Sequence, residues 1–272
     1  MEGGKFFYFL LFFLGLTWGS FLNVLIFRYQ PNKKFNIFKI ISGRSRCPYC
    51  KRKLLVKDLI PVLSFLILKG KCRWCGKKIS FIYPIVEILS GILAVIIFLK
   101  TSPSLFLFLL WFLIFSDLLV LSFIDLKHQF VPNQLLDLFF LLSLVTVIFF
   151  QIPSHYIWKI FPQFNLRILN HLVGGLIFGL PMWLFCQKTK EKFLGLGDAK
   201  AMAISCFLFA WPASILVFNL SFLIGGFLSL ILIFFFGKTI KSKIPFLPFL
   251  SLAIFLTFLF ENQIVDLYLT LF

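Results

Sequence analysis

Eight apolar runs govern what this chain can become: residues 6–27, 81–99, 104–124, 134–151, 168–187, 199–212, 214–236 and 247–260. A helix needs roughly 20 apolar residues to cross a bilayer. Most of the runs come near that length, while the sixth and eighth, at 14 residues each, are short. Residues 199–236 could form one element, but 38 residues at about 1.5 Å each overrun the hydrocarbon. Trp211-Pro212 and Gly225-Gly226 offer breaks there. Composition agrees with the runs: 60% of residues are hydrophobic, 14% are charged, and the mean hydropathy is +1.00. A soluble fold could not hide that much apolar surface, and a disordered chain would not carry it. The pattern predicts an all-α polytopic membrane protein of about eight transmembrane helices. The first run lacks a small-residue cleavage motif and is expected to stay as a helix.

The net charge of +17 first suggests nucleic acid, but its distribution points to membrane topology. The 53-residue segment 28–80 holds 15 of the 27 Lys and Arg residues, and most others sit in short gaps between runs. With eight spans, 23 basic residues fall on one side and 4 on the other. The positive-inside bias makes the first side cytoplasmic and puts both termini outside. The basic face then serves orientation and the lipid bilayer, with no nucleic-acid partner. The expected organisation is a first transmembrane helix (1–27), a cytoplasmic loop domain (28–80) and a transmembrane domain holding the remaining runs (81–272). No internal repeat is visible.

The loop is too small for a conventional core and needs a staple. Cys47-Pro-Tyr-Cys50 and Cys72-Arg-Trp-Cys75, separated by 21 residues, supply one. Two C-x2-C knuckles at about this separation fit tetrahedral, structural zinc. Gly76 suits the tight turn after the second pair, and neighbouring cations favour thiolates. Two disulfides or redox chemistry are the alternatives, which a reducing cytoplasm disfavours. Cys186 and Cys206 read as small buried hydrophobes.

The chain has ten acidic residues. An ionisable group inside a membrane is a functional candidate by default. Asp125 ends the third run, in Asp125-Leu-Lys-His128, and Asp198 begins the sixth, in Gly195-Leu-Gly197-Asp198-Ala-Lys200. Two carboxylates brought together at the membrane edge would share a proton and hold a water. One would act as base on that water and the other as acid on the carbonyl oxygen and leaving amine, which is peptide hydrolysis without a nucleophilic side chain. Glycines beside Asp198 would let an extended substrate backbone approach. The rivals are Asp117, about 80° around the helix from Asp125, and Asp137, both of which read as helix–helix contacts.

These residues resemble the type IV prepilin peptidases. Gly19-Ser20-Phe21-Leu22-Asn23-Val24 leading to Arg28 looks like the family's first-helix signature, and the four cysteines look like its cytoplasmic loop. Ile60-Pro61-Val62-Leu63-Ser64 and Tyr83-Pro84-Ile85-Val86-Glu87 match further runs. Asp125 is similar to the first catalytic Asp motif, and Gly195-Leu-Gly197-Asp198-Ala-Lys200 to the second, a G-x-G-D. One departure is Pro132-Asn133, where the family usually has Pro-Asp. The resemblance implies that Asp125 and Asp198 are catalytic and that Gly195, Gly197 and Lys200 complete the second motif. It implies cleavage of a basic leader from prepilins or pseudopilins, after Gly, at the cytoplasmic face of the bacterial inner membrane. It also implies methylation of the new N-terminal residue, usually Phe, with S-adenosylmethionine, in which the cysteine loop, the adjacent helix ends and Glu87 would take part. The alternatives are a peptidase without methyltransferase activity, or, from another class, a transporter or channel with a structural zinc loop.

Overall fold

A computed structural model describes residues 2–31, 40, 42–149, 164–192, 194–236 and 244–270. Lys33, Lys34, Lys39, Lys159, Lys238, Lys241 and Lys243, which contribute to the charge asymmetry, lie outside the described residues. Among those described, the chain is helical, with isolated bridges but no strand: α1 (Glu2–Arg28), α2 (Leu63–Ile67), α3 (Ile82–Thr101), α4 (Leu105–His128), α5 (Asn133–Phe149), α6 (Phe164–Thr189), α7 (Leu196–Phe209), α8 (Ala213–Phe236) and α9 (Leu247–Thr270). Each of the eight apolar runs is a helix. Five of them, α1, α3, α4, α6 and α8, are long and apolar enough to cross a membrane alone. Helix α9 runs ten residues past its apolar stretch, because the polar residues after Phe260 end hydrophobicity without breaking the helix. The chain divides into two units, Met1–Phe112 and Leu113–Phe272, so α3 groups with α1.

In the first unit, α1 and α3 run antiparallel with their backbones nearly touching. A Cβ on Gly15 would lie 2.7 Å from the Gly91 Cα, and one on Gly19 would lie 2.7 Å from the Glu87 Cα. Small residues four apart permit this approach, which lipid tails alone would not drive. The seam closes with Phe7 against Phe98 at 5.0 Å at one end and Phe27 stacked on Tyr83 at 4.0 Å at the other. Pro84 sits in the first turn of α3, where no intrahelical donor is lost. Arg28 organises the entry to the loop by donating to the Ile40, Ser42 and Gly43 carbonyls at 2.8, 2.8 and 3.2 Å.

The second unit centres on α7, which packs on α5, α6, α8 and α9. At 14 residues it is about 21 Å long, shorter than the hydrocarbon core. It tolerates the mismatch because protein surrounds it: Ala201, Met202, Ser205, Cys206 and Leu208 are fully buried. Gly174, Gly175 and Gly179 on α6 admit Ala203, Phe207 and Ala210, and His171 Nδ1 pairs with the Phe207 carbonyl oxygen at 2.7 Å.

Candidate functional site: two aspartates and a cysteine quartet

Asp125 stands in the last turn of α4, which closes with the Gln129 N–H donating to the Asp125 carbonyl at 2.8 Å. Its side chain is 4% exposed. Oδ2 accepts the Leu247 N–H at 3.2 Å, and the carboxyl also takes the Phe246 N–H. Asp125 therefore satisfies the free donors at the start of α9. Asp198 occupies the third position of α7, after Gly195 as the N-cap. Its carboxyl folds back to take the Gly195 N–H, the half of a capping box that an acid at this position supplies. The two carboxyls lie within electrostatic reach of each other. Three helix ends meet there: the C-terminus of α4 and the N-termini of α7 and α9, whose dipoles favour negative charge. Asp198 Oδ1 is buried with no hydrogen-bond partner. Asp137 is exposed. Asp117 is buried and belongs to the interior of α4, about 12 Å along the axis from Asp125.

The motif residues around Asp198 have distinct surroundings. A Cβ on Gly195 would lie 3.3 Å from Asp198 Oδ2, so glycine leaves room for the folded-back carboxyl. A Cβ on Gly197 would lie 2.6 Å from the Val131 Cβ. This glycine admits the α4–α5 connection to the first turn of α7, a packing role beside the open approach expected from sequence. Lys200 Nζ donates to Asn133 Oδ1 at 3.1 Å, tying α7 to the start of α5. The Asn that departs from the usual Pro-Asp thus receives the lysine in a charge–dipole hydrogen bond.

The cysteine quartet is assembled in the first unit. The four Sγ atoms lie within 4.8 Å of one another, with Cys47 and Cys75 at 3.9 Å. Tetrahedral zinc with bonds of about 2.3 Å would separate sulfurs by about 3.8 Å. The residues fit a soft, four-thiolate metal site, and all are free thiols. The two knuckles repeat one hydrogen-bond scheme, which sequence inspection missed. Cys47 donates to the Arg52 carbonyl and accepts from the Lys51 N–H, while Leu54 donates to Ser45. Cys72, Lys77, Gly76, Ile79 and Gly70 do the same 25 residues later. The equivalent turn residues are Lys51 at φ 59° and Gly76 at φ 66°. Burial opposes ionisation of Cys47, but the Cys50 and Tyr49 N–H groups and neighbouring thiols outweigh it and bring the pKa down to about 7. Asp58 braces the second knuckle. Its Oδ1 accepts Arg73 Nε at 2.9 Å and Nη2 at 2.5 Å, and Arg73 holds the carboxyl below the usual range.

Glu87 is 7% exposed in the α1–α3 seam. Its Oε2 accepts the Val62 N–H at 2.8 Å, and it also hydrogen-bonds Ser20.

Comparison with known proteins follows the same division of the chain. The family model described as "Bacterial Peptidase A24 N-terminal domain" matches residues 13–101, and that of the "Type IV leader peptidase family" matches residues 111–230. The prepilin leader peptidase/N-methyltransferase of Dichelobacter nodosus is 31% identical over 95% of this chain and 94% of its own. The proteins of the same name from Aeromonas hydrophila and Pseudomonas aeruginosa are 30% and 29% identical, over 97% and 94% of this chain and 94% and 91% of their own. The chain belongs to the type IV leader peptidase family. No solved structure matches it.

Membership in this peptidase family sets the transporter alternative aside. Asp125 and Asp198 lie within the leader peptidase match, but α9, whose backbone donors hold Asp125, lies beyond residue 230. Phe246 and Leu247 were not legible as site residues because main-chain donors carry no side-chain signature. The flanking Pro245 and Pro248 were the available signal, since proline favours a helix start.

Proposed function

We propose that this protein is a multi-pass enzyme of the bacterial inner membrane that removes the basic leader of type IV prepilins or pseudopilins and methylates the new N-terminus. The observation that carries the reading is the meeting of Asp125 and Asp198 where three helix ends converge, in a chain of the type IV leader peptidase family. Two carboxyls at one buried site share a proton more readily than both ionise. One takes a proton from a bound water, which attacks the scissile carbonyl after Gly. The other protonates the carbonyl oxygen and then the leaving amine. The partnerless Asp198 Oδ1 is the kind of acceptor that a bridging water or shared proton satisfies. The charge asymmetry of the loops supports a cytoplasmic face for this site, where a basic leader resides.

The relatives' name includes an N-methyltransferase, and we extend that activity to this chain. S-adenosylmethionine supplies the electrophilic methyl group, and Glu87 and the loop serve the transfer. Cys47, Cys50, Cys72 and Cys75 would hold one structural zinc, with no position left open for a substrate.

The test is incubation of purified protein with a prepilin and S-adenosylmethionine, followed by mass spectrometry of the mature N-terminus. Cleavage after Gly with a gain of about 14 Da, the mass by which a methyl group replaces hydrogen on the N-terminal amine, is the expected result. An intact substrate refutes the peptidase. A cut, unmethylated product would favour a peptidase alone.

A further inference from the structure

The segment between the two knuckles turns its apolar side outward. Helix α2 buries none of its residues. Leu63, Leu66 and Ile67, spaced i, i+3 and i+4 along one helical face, are 52%, 63% and 72% exposed. The other side of α2 is taken by Phe65, which packs on Phe81 at 5.2 Å, just before α3. A loop surrounded by water would turn such a stripe inward, and an outward one marks a contact with a partner or a membrane. The flanks have the opposite chemistry. Lys57 on one side and Lys69 and Lys71 on the other are exposed cations, while the acid of this stretch, Asp58, is turned in toward Arg73.

The level of this segment in the bilayer follows from α3. That helix has 20 residues, about 30 Å, which only just spans the hydrocarbon, so its first turn marks the membrane edge. Its outward residues are apolar from the start: Phe81, Ile85 and Ile88 are all exposed. Glu87 lies five residues in, about 7.5 Å along the axis, and its side chain leans back toward the N-terminus. There its Oε2 accepts the Val62 N–H at 2.8 Å. This bond holds the turn at Pro61 and Val62, from which α2 starts, at the boundary of hydrocarbon and headgroups. The backbone suits a place where water is scarce. Val62 stands at φ 59°, and the reversal closes the Leu63, Ser64 and Leu66 N–H groups onto the Pro61, Ile60 and Val62 carbonyls.

We infer that residues 60–68 form an interfacial anchor that docks on anionic phospholipid, with Leu63, Leu66 and Ile67 among the upper acyl carbons and Lys57, Lys69 and Lys71 at the phosphates. An amphipathic segment of this kind sinks its apolar face by about 5–10 Å and gains further from basic residues beside it. The anchor is independent of the chemistry proposed above, and it moves part of the expected cytoplasmic loop into the leaflet. Because the two knuckles flank it in sequence, it keeps the cysteine quartet close to the bilayer surface.

The test is photo-crosslinking of the full-length protein in nanodiscs of mixed phosphatidylcholine and phosphatidylglycerol, with p-benzoylphenylalanine in place of Leu66 or of Ile67. Both side chains are exposed, so the larger ring displaces no packed neighbour. The same probe at Ile92, on the outward face of α3, sets the yield for a lipid-facing residue, and at Tyr49, an exposed ring of the first knuckle, the yield for the loop surface. Positions 66 and 67 are expected to give phospholipid adducts at the Ile92 level, joined through an acyl chain, with phosphatidylglycerol over-represented relative to its share of the bilayer. Combining Lys57→Gln, Lys69→Gln and Lys71→Gln is expected to return the adducts to the bulk lipid ratio. Yields no higher than at Tyr49, or crosslinks to a second copy of the chain in place of lipid, overturn the anchor. Acyl adducts that carry phosphatidylglycerol only in its bulk ratio, with all three lysines present, overturn the docking on anionic lipid.

Discussion

Replacing Gly197 by alanine probes how the fold delivers Asp198. The new Cβ would lie 2.6 Å from the Val131 Cβ and 2.9 Å from its Cγ2. Ordinary carbon contacts lie at about 3.5–4.0 Å, so one partner must retreat by about 1 Å. Retreat moves either the α4–α5 connection or the first turn of α7, which carries Asp198 one residue on. Overpacking of this kind costs about 1–3 kcal/mol of stability, offset in part by alanine's better helix propensity, worth up to about 1 kcal/mol. The catalytic effect is larger, because a displacement of about 1 Å can cost roughly 100-fold in rate, or about 2.7 kcal/mol. Gly197→Ala is therefore expected to lower kcat/KM for prepilin cleavage about 100-fold with only a small change in Tm. Adding Val131→Gly removes the clashing atoms and is expected to restore activity to within roughly tenfold of wild type, a coupling that a double-mutant cycle reads directly. A single variant as active as wild type would refute the packing argument. A double variant as inactive as the single would assign Gly197 to substrate approach instead.

Replacing Cys72 and Cys75 by Ser is expected to reduce methylation more than cleavage, because it disorders the loop and its Val62–Glu87 contact while leaving the dyad on its helices. The mass of the mature N-terminus reports both activities, and equal loss of both would show that the loop also positions the peptide. Asp58→Asn is expected to destabilise the loop, because the Arg73 guanidinium and the Leu55 N–H lose a charged acceptor. A fully buried pair would lose more, but the Arg73 side chain keeps 33% of its surface exposed. Faster proteolysis between Lys69 and Lys78, together with easier zinc loss to a chelator, is the expected readout. Unchanged proteolysis would remove the bracing role.

The helices were legible one by one because apolar length is written along the chain and a bilayer leaves helices as the economical answer. The quartet was legible for a similar reason, since spacing alone brings four thiols to one ion. Residues related only through the folded backbone were not legible. Val131 gives no sign that it seats against Gly197, and the N–H of Leu247 is the same group as any other N–H. The repeat in the two knuckles stayed hidden because the residue at positive φ is Gly76 in one and Lys51 in the other. Similarly, Ser20 reads as one polar residue among apolar ones, and only the antiparallel register of α1 and α3 brings it to Glu87.

The central claim is that Asp125 and Asp198 act as one unit. Its most direct test is the cleavage rate of a prepilin by Asp125→Asn, Asp198→Asn and the double variant, each confirmed as folded and membrane-inserted. Because one carboxyl cannot serve as both acid and base, each single variant is expected to lose cleavage by at least about 1,000-fold, with the double variant no worse than either, as for other residues that act together. A single variant that cuts at near the wild-type rate, or losses that multiply in the double variant, would contradict the shared site.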